Sequence, residues 1–166
     1  RIVGPSDLLD KTQGSETSQV VATLHDHTYG ITSDPLTQFA CAFAALIHDV
    51  DHCGVPNAQL IKEGTRIASV YNNRSVAEQN SLVLAWDLLM LDEYDELRSI
   101  ICETGAELTR FRQLVVNAVM ATDIADKDLK ALRNARWDKA FKGATSLAEE
   151  ESRFGDSVNR KATIVI

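Results

Sequence analysis

No run of apolar residues in this sequence approaches the roughly 20 that a membrane-spanning helix needs, so no transmembrane segment is expected. No signal peptide opens it either: Arg1-Ile2-Val3-Gly4-Pro5 lacks the charged-then-apolar pattern. There is no Cys-x-x-Cys pair, and the three cysteines, Cys41, Cys53 and Cys102, are an odd number. That argues against a disulfide framework and for a reduced, intracellular setting, cytoplasmic for this segment, with membrane attachment of a full-length protein left open. Basic residues are short: 17 Lys and Arg stand against 24 Asp and Glu, for a formal net charge of −7. Binding to a nucleic-acid backbone needs a basic face, so no nucleic-acid partner is expected. A small phosphorylated substrate stays open, because a local metal site can outweigh the global charge. No segment alternates with period two, and no internal repeat is visible.

What remains is a helical pattern on an ordinary globular composition, 45% hydrophobic and 25% charged over 166 residues. That length suffices for one domain with a core. The chain starts without Met and stops on Ile164-Val165-Ile166, so both ends read as cuts in a longer protein. Residues 1–35 are polar and turn-rich, with a short helix possible from Gln19 to Leu24. Ser33 or Asp34 can cap a helix that takes Pro35 into its first turn and runs to about His48. That helix is apolar nearly all round, which predicts a buried central helix. Gly54 and Pro56 force a turn after it. Further helices are expected at Ala58–Lys62, from Ser75 through Met90, at Tyr94–Cys102, from Leu108 to Thr122, and at Asp128–Phe141. Ser75-Val76-Ala77-Glu78 fits a capping box. Cys41 and Cys102 lie in apolar stretches and read as core packing. Residues 142–161 read as a loop. The fold class is all-α, a compact multi-helix array.

Chemistry concentrates in His48-Asp49-Val50-Asp51-His52, at the end of the apolar helix. Imidazole nitrogen and carboxylate oxygen are ligands for zinc and similar divalent ions. Successive side chains on a helix diverge, so His48 and Asp49 can converge only where the backbone turns. Asp51 and His52 could then orient ligands or metal-bound water. A lone His-Asp pair is usually a surface accident; two His and two Asp in five residues after such a helix are much less so.

The stretch from Phe43 to Asn57 resembles the signature of class I 3′,5′-cyclic nucleotide phosphodiesterases, in which an apolar helix runs into HDxDHxGxxN. Two further blocks agree in order. Tyr71-Asn72-Asn73-Arg74-Ser75-Val76-Ala77-Glu78 is similar to YNDRSVLE, and Val119-Met120-Ala121-Thr122-Asp123 to VLATD. The resemblance implies an all-α catalytic domain of the HD type, of which this chain, residues 1–166, is an internal part. It implies two divalent metal ions, zinc and magnesium (or manganese), and a cyclic nucleotide substrate, cAMP or cGMP, in signal transduction. His48 would be a metal ligand, and Asp49 would bridge the two ions. His52 would lie beside the attacking hydroxide as a catalytic residue, and Glu78 and Thr122 would hold waters on the second ion. Each has a plainer alternative. Glu78 could serve only the capping box, and the Thr122 hydroxyl could bond back within its own helix. Asn57, Tyr71 and Asn72 read as loop-shaping.

Departures from the pattern matter equally. The family's upstream His-Asn-x-x-His-Ala segment, source of the general acid and a metal ligand, has no match here. His25-Asp26-His27 lacks its Asn and His-Ala and reads as solvated loop. After Glu78 the family continues Asn-His-His, whereas this chain has Gln79-Asn80-Ser81. Cys53 stands where Pro is common. The final Ala162-Thr163-Ile164-Val165-Ile166 resembles the helix before the family's last ligating Asp, although its β-branched residues favour a strand locally. On this reading the chain alone lacks turnover. Two other readings are another HD-type metal-dependent phosphohydrolase and a non-catalytic regulatory domain on the same scaffold.

Overall fold

The structure, a computed structural model, describes Ala22, Thr23, Thr28 and residues 30–141. The expected loop at 142–161 and the closing 162–166 segment lie outside these residues, as does most of the Gln19–Leu24 helix, of which Ala22 and Thr23 are helical. Among the described residues there are helices and turns and no strand. A 3₁₀ turn at Ile31–Ser33 leads into α1 (Pro35–Ile47). Then come α2 (Asn57–Lys62), α3 (Arg66–Val70) and α4 (Val76–Leu89). A 3₁₀ turn at Asp92–Tyr94 precedes α5 (Asp95–Ile101), α6 (Gly105–Met120) and α7 (Lys127–Phe141). The short α3 carries no apolar period long enough to be read from sequence, and it was not expected.

The chain divides into two compact units, Ala40–Ala131 and the flanks Arg1–Phe39 with Leu132–Ile166. In the flanking unit Asp34 caps the start of α1. Its Oδ1 accepts from the Thr37 backbone N–H at 3.1 Å and its Oδ2 from the Thr37 hydroxyl at 2.8 Å. Asp34, not Ser33, supplies this cap, and Pro35 costs nothing at the first helical position, where an N–H has no helical partner anyway.

The central unit packs around two centres. In one, Leu60 of α2, Ala68 of α3 and Val76 of α4 are buried, with Val55, Ile67 and Tyr71 against them. In the other, α4 packs on α6. Phe111, Val115 and Val119, spaced by one helical turn on α6, are fully buried. The Phe111 ring lies 5.6 Å from Phe43 of α1 and 6.2 Å from Trp86 of α4, both tilted, within the range favoured for aromatic pairs.

Three expectations need correction. The helix α1 is not buried on every side: Thr37, Ala40, Ala44 and Ile47 are buried, whereas Leu46 is 78% and Phe39 42% exposed. An apolar surface predicts burial only where other elements reach it, and among the described residues one stripe is covered. Cys102 is buried as expected, but Cys41 is only half-buried. The capping box at Ser75 does not form. Ser75 sits in the left-handed region at φ +37° and its side chain makes no capping bond; reaching the first turn needs extended backbone at that position. The capping box lies instead at Thr104 and Glu107, at the start of α6. Thr104 Oγ1 accepts from the Glu107 N–H at 3.2 Å, and Glu107 Oε2 accepts from the Thr104 N–H at 3.0 Å. The same S/T-x-x-E spacing was present there in the sequence and could have been read.

Candidate metal centre at the end of the first long helix

Helix α1 stops at Ile47 and the next residues wind into a turn. Val50 N–H donates to the Ile47 carbonyl at 3.0 Å and His52 N–H to the Asp49 carbonyl at 3.1 Å. Asp51 takes φ +59°, and Gly54 takes φ +77°. Glycine enters the left-handed region freely, and aspartate is among the few other residues that do so as single turn positions. Two bonds from α4 reach the turn: Asn80 Nδ2 donates to Asp51 Oδ2 at 3.1 Å, and Ser81 Oγ to the Val50 carbonyl at 2.7 Å.

The turn brings the adjacent His48 and Asp49 side chains together. His48 Nδ1 faces the Ala45 carbonyl at 2.9 Å. A carbonyl only accepts, so Nδ1 carries a proton, and Nε2 has a lone pair whenever the ring holds no second one. That nitrogen lies 3.1 Å from Asp49 Oδ2. Two lone pairs facing at this distance need a shared cation, a proton or a metal ion. Ligand bonds of about 2.0–2.2 Å set neighbouring donors roughly 3 Å apart on one ion, so the pair fits a common metal. The Nδ1–H···O=C contact is also the usual orienting bond of a ligating histidine.

The other predicted residues are placed differently. His52 Nδ1 accepts from the Gly54 N–H at 3.0 Å, which leaves its Nε2–H outward on an exposed ring. Glu78 Oε2 accepts from Asn57 Nδ2 at 2.8 Å, while Asn57 Oδ1 accepts from the Ala77 N–H at 2.9 Å. Asn57 thus caps α4 from another helix, which supplies physically what Ser75 does not. Tyr71 packs on the Leu60 centre and Asn72 adopts φ +53°, so both shape the loop before α4. The Thr122 hydroxyl donates to the Val119 carbonyl at 2.6 Å, within its own helical end, and no hydrogen bond joins it to His48, Asp49 or Glu78. His25 and His27 lie outside the described residues. Among the described residues no group of three or more His, Cys, Asp or Glu could hold a metal ion; His48 and Asp49 stand together as a pair. A cleft of about 230 Å³ between α4 and α6, lined by Gln79, Leu82, Trp86, Arg112 and Met120 among others, contains none of the predicted ligands.

An all-helical scaffold and one adjacent imidazole–carboxylate pair do not by themselves define a class of protein. Comparison with known proteins does. The sequence model of 3′5′-cyclic nucleotide phosphodiesterases matches residues 13–154. A probable 3′,5′-cyclic-AMP phosphodiesterase of Caenorhabditis elegans is 35% identical over 106 residues, 61% of this chain and 15% of that protein. The human dual specificity calcium/calmodulin-dependent 3′,5′-cyclic nucleotide phosphodiesterase 1C is 38% identical over 99 residues, 58% of this chain and 14% of that protein. In three dimensions the chain is similar to the phosphodiesterase domain of a rhodopsin fusion protein from the choanoflagellate Salpingoeca rosetta. The TM-score is 0.54 at 26% identity, covering 84% of this chain and 46% of that one. The chain belongs to the 3′5′-cyclic nucleotide phosphodiesterase family. It spans well under half the length of the curated relatives and just under half of the solved domain.

Proposed function

We propose that the protein containing this chain hydrolyses 3′,5′-cyclic nucleotides to 5′-monophosphates, in the cytoplasm, and that residues 1–166 are one part of its catalytic domain. The observation that carries the reading is the His48–Asp49 pair, 3.1 Å apart at the end of α1, within a chain that belongs to this family. The family is metal-dependent; that the ions are zinc and magnesium or manganese is part of the proposal. His48 Nε2 and Asp49 Oδ2 would hold the first ion, and the second Asp49 oxygen is free to reach another. Bound together, such ions supply a water nucleophile at neutral pH and neutralise charge on the phosphoryl group.

The chain's own residues do the rest by position. The Ala45 carbonyl fixes the His48 tautomer so that Nε2 stays a ligand. His52, with Nδ1 occupied by the Gly54 N–H, offers its Nε2–H to the attacking water or a phosphoryl oxygen. Glu78, oriented by Asn57, presents its remaining carboxylate oxygen as an acceptor for ordered water. Thr122 would join it only if its hydroxyl exchanged the Val119 carbonyl for water. The proton for the leaving 3′ oxygen comes from a group outside the matched blocks, so this chain alone is expected to show no turnover.

The test is a product assay on the full-length protein with cAMP and cGMP in the presence of zinc and magnesium. The 5′-monophosphate should form, and His48→Ala should abolish it. Hydrolysis of other phosphoesters with no effect on cyclic nucleotides would favour a different HD-type hydrolase. The named relatives include both a cyclic-AMP enzyme and a dual-specificity one, so both substrates belong in the assay.

A further inference from the structure

We infer that Asn80 and Ser81 are positioning residues for the metal pair, a clamp from α4 that sets how tightly the first ion is held. The inference rests on the reading of His48 and Asp49 as metal ligands and names what aims them. Four observations carry it. The turn containing the pair ends with Asp51 at φ +59°, in the left-handed region that aspartate enters more readily than most side chains. The side chain of that residue accepts a bond from Asn80 at 3.1 Å. The carbonyl of the neighbouring Val50 accepts one from Ser81 at 2.7 Å. Ser81 is fully buried, so its hydroxyl has no water to compete for, and its donor is committed to the turn.

Gln79-Asn80-Ser81 stands where the family pattern quoted above has Asn-His-His, and the second and third of these residues are the two that grip the turn. A small buried serine lets α4 approach the Val50 carbonyl directly. The amide of Asn80 donates to a carboxylate without adding a titratable group beside the metal. One bond holds the Val50 carbonyl and the other the Asp51 side chain, both between Asp49 and His52, so they fix the direction of the ligand pair without touching the ion.

The consequence is measurable as zinc affinity in the full-length protein, by competition with a chromophoric chelator. Asn80→Asp sets two carboxylates against each other and removes the donor; affinity should fall by about tenfold or more, the size seen when an outer partner of a ligand is lost. Ser81→Ala, which removes only the hydroxyl, should weaken binding in the same direction. The exchange Asp51→Asn with Asn80→Asp restores a donor–acceptor pair in reversed order and should recover most of the affinity. Two unrelated disturbances would add, so recovery assigns the effect to the Asp51–Asn80 bond, and unfolding by urea that stays unchanged in Asn80→Asp separates it from a loss of stability. Unchanged affinity in both single variants, or no recovery in the exchange, would overturn the clamp while a His48-dependent zinc site still stands. A wild-type protein whose zinc binding is indifferent to His48→Ala would overturn the metal reading beneath it.

Discussion

The packing centre around Phe111 and the turn after α1 lie in the same unit and are held in opposite ways. Phe111, Val115 and Val119 are fully buried apolar side chains, stabilised by the area they remove from water and by ring contacts to Phe43 and Trp86. His48, Asp49, Asp51 and His52 are half-buried or exposed, and a few directional bonds hold them. The first region tolerates no loss of volume. The second tolerates no loss of direction. Stability and chemistry should therefore separate under mutation, and each prediction presses on that separation.

The largest effect belongs to the packing centre. Phe111→Ala should cost about 3–5 kcal/mol of folding stability, because it leaves a cavity between α4 and α6 as well as losing transfer energy. Urea unfolding measures it; a cost under about 1 kcal/mol would show that the centre is not the core. Next comes Asp49→Ala in the full-length protein. A carboxylate touching both ions should cost more than the roughly 10–100-fold expected for an outer group such as Glu78. Because Asp49 is exposed, its removal should shift unfolding by no more than about 0.5 kcal/mol. Equal activity losses for Asp49→Ala and Glu78→Ala at saturating metal would break the assignment.

Smaller is Thr104→Ala at the α6 cap, at about 1 kcal/mol in stability with activity unchanged at saturating metal. The smallest effect is in the cysteines. Burial pushes the Cys102 thiol upward, and the Glu107 carboxylate adds to it. Less thiolate at a given pH means slower alkylation, so iodoacetamide should label exposed Cys53 well before Cys102. The sign for folding follows. A raised native thiol favours the neutral form, so its contribution to stability is full below the unfolded thiol's range and is lost as pH rises through the native one.

Much of this was legible in the sequence where a period or a motif spoke. The apolar spacing on α6 located its buried face, and Asp34-Pro35 marked the start of α1. The His-Asp run pointed to two side chains that do meet, 3.1 Å apart, because they are adjacent residues on a turn. What sequence could not supply was tertiary. Asn57 caps α4 across 20 residues, and Ser81 reaches Val50 across 31, and no local pattern encodes either. The Ser75 box matched in letters and failed in backbone, because the left-handed residues at Asn72 and Asn73 carry the chain into α4 at an angle the motif does not assume. The covered stripe of α1 was hidden by its own composition, since an apolar residue looks the same whether or not a neighbour reaches it.

The central claim is that His48 and Asp49 share a metal ion, and anomalous scattering from a crystal of the full-length protein grown with zinc tests it most directly. The account predicts a peak about 2.0–2.2 Å from both His48 Nε2 and Asp49 Oδ2, with Nδ1 still against the Ala45 carbonyl. A zinc site elsewhere, with His48 and Asp49 bonded only to each other, would contradict it.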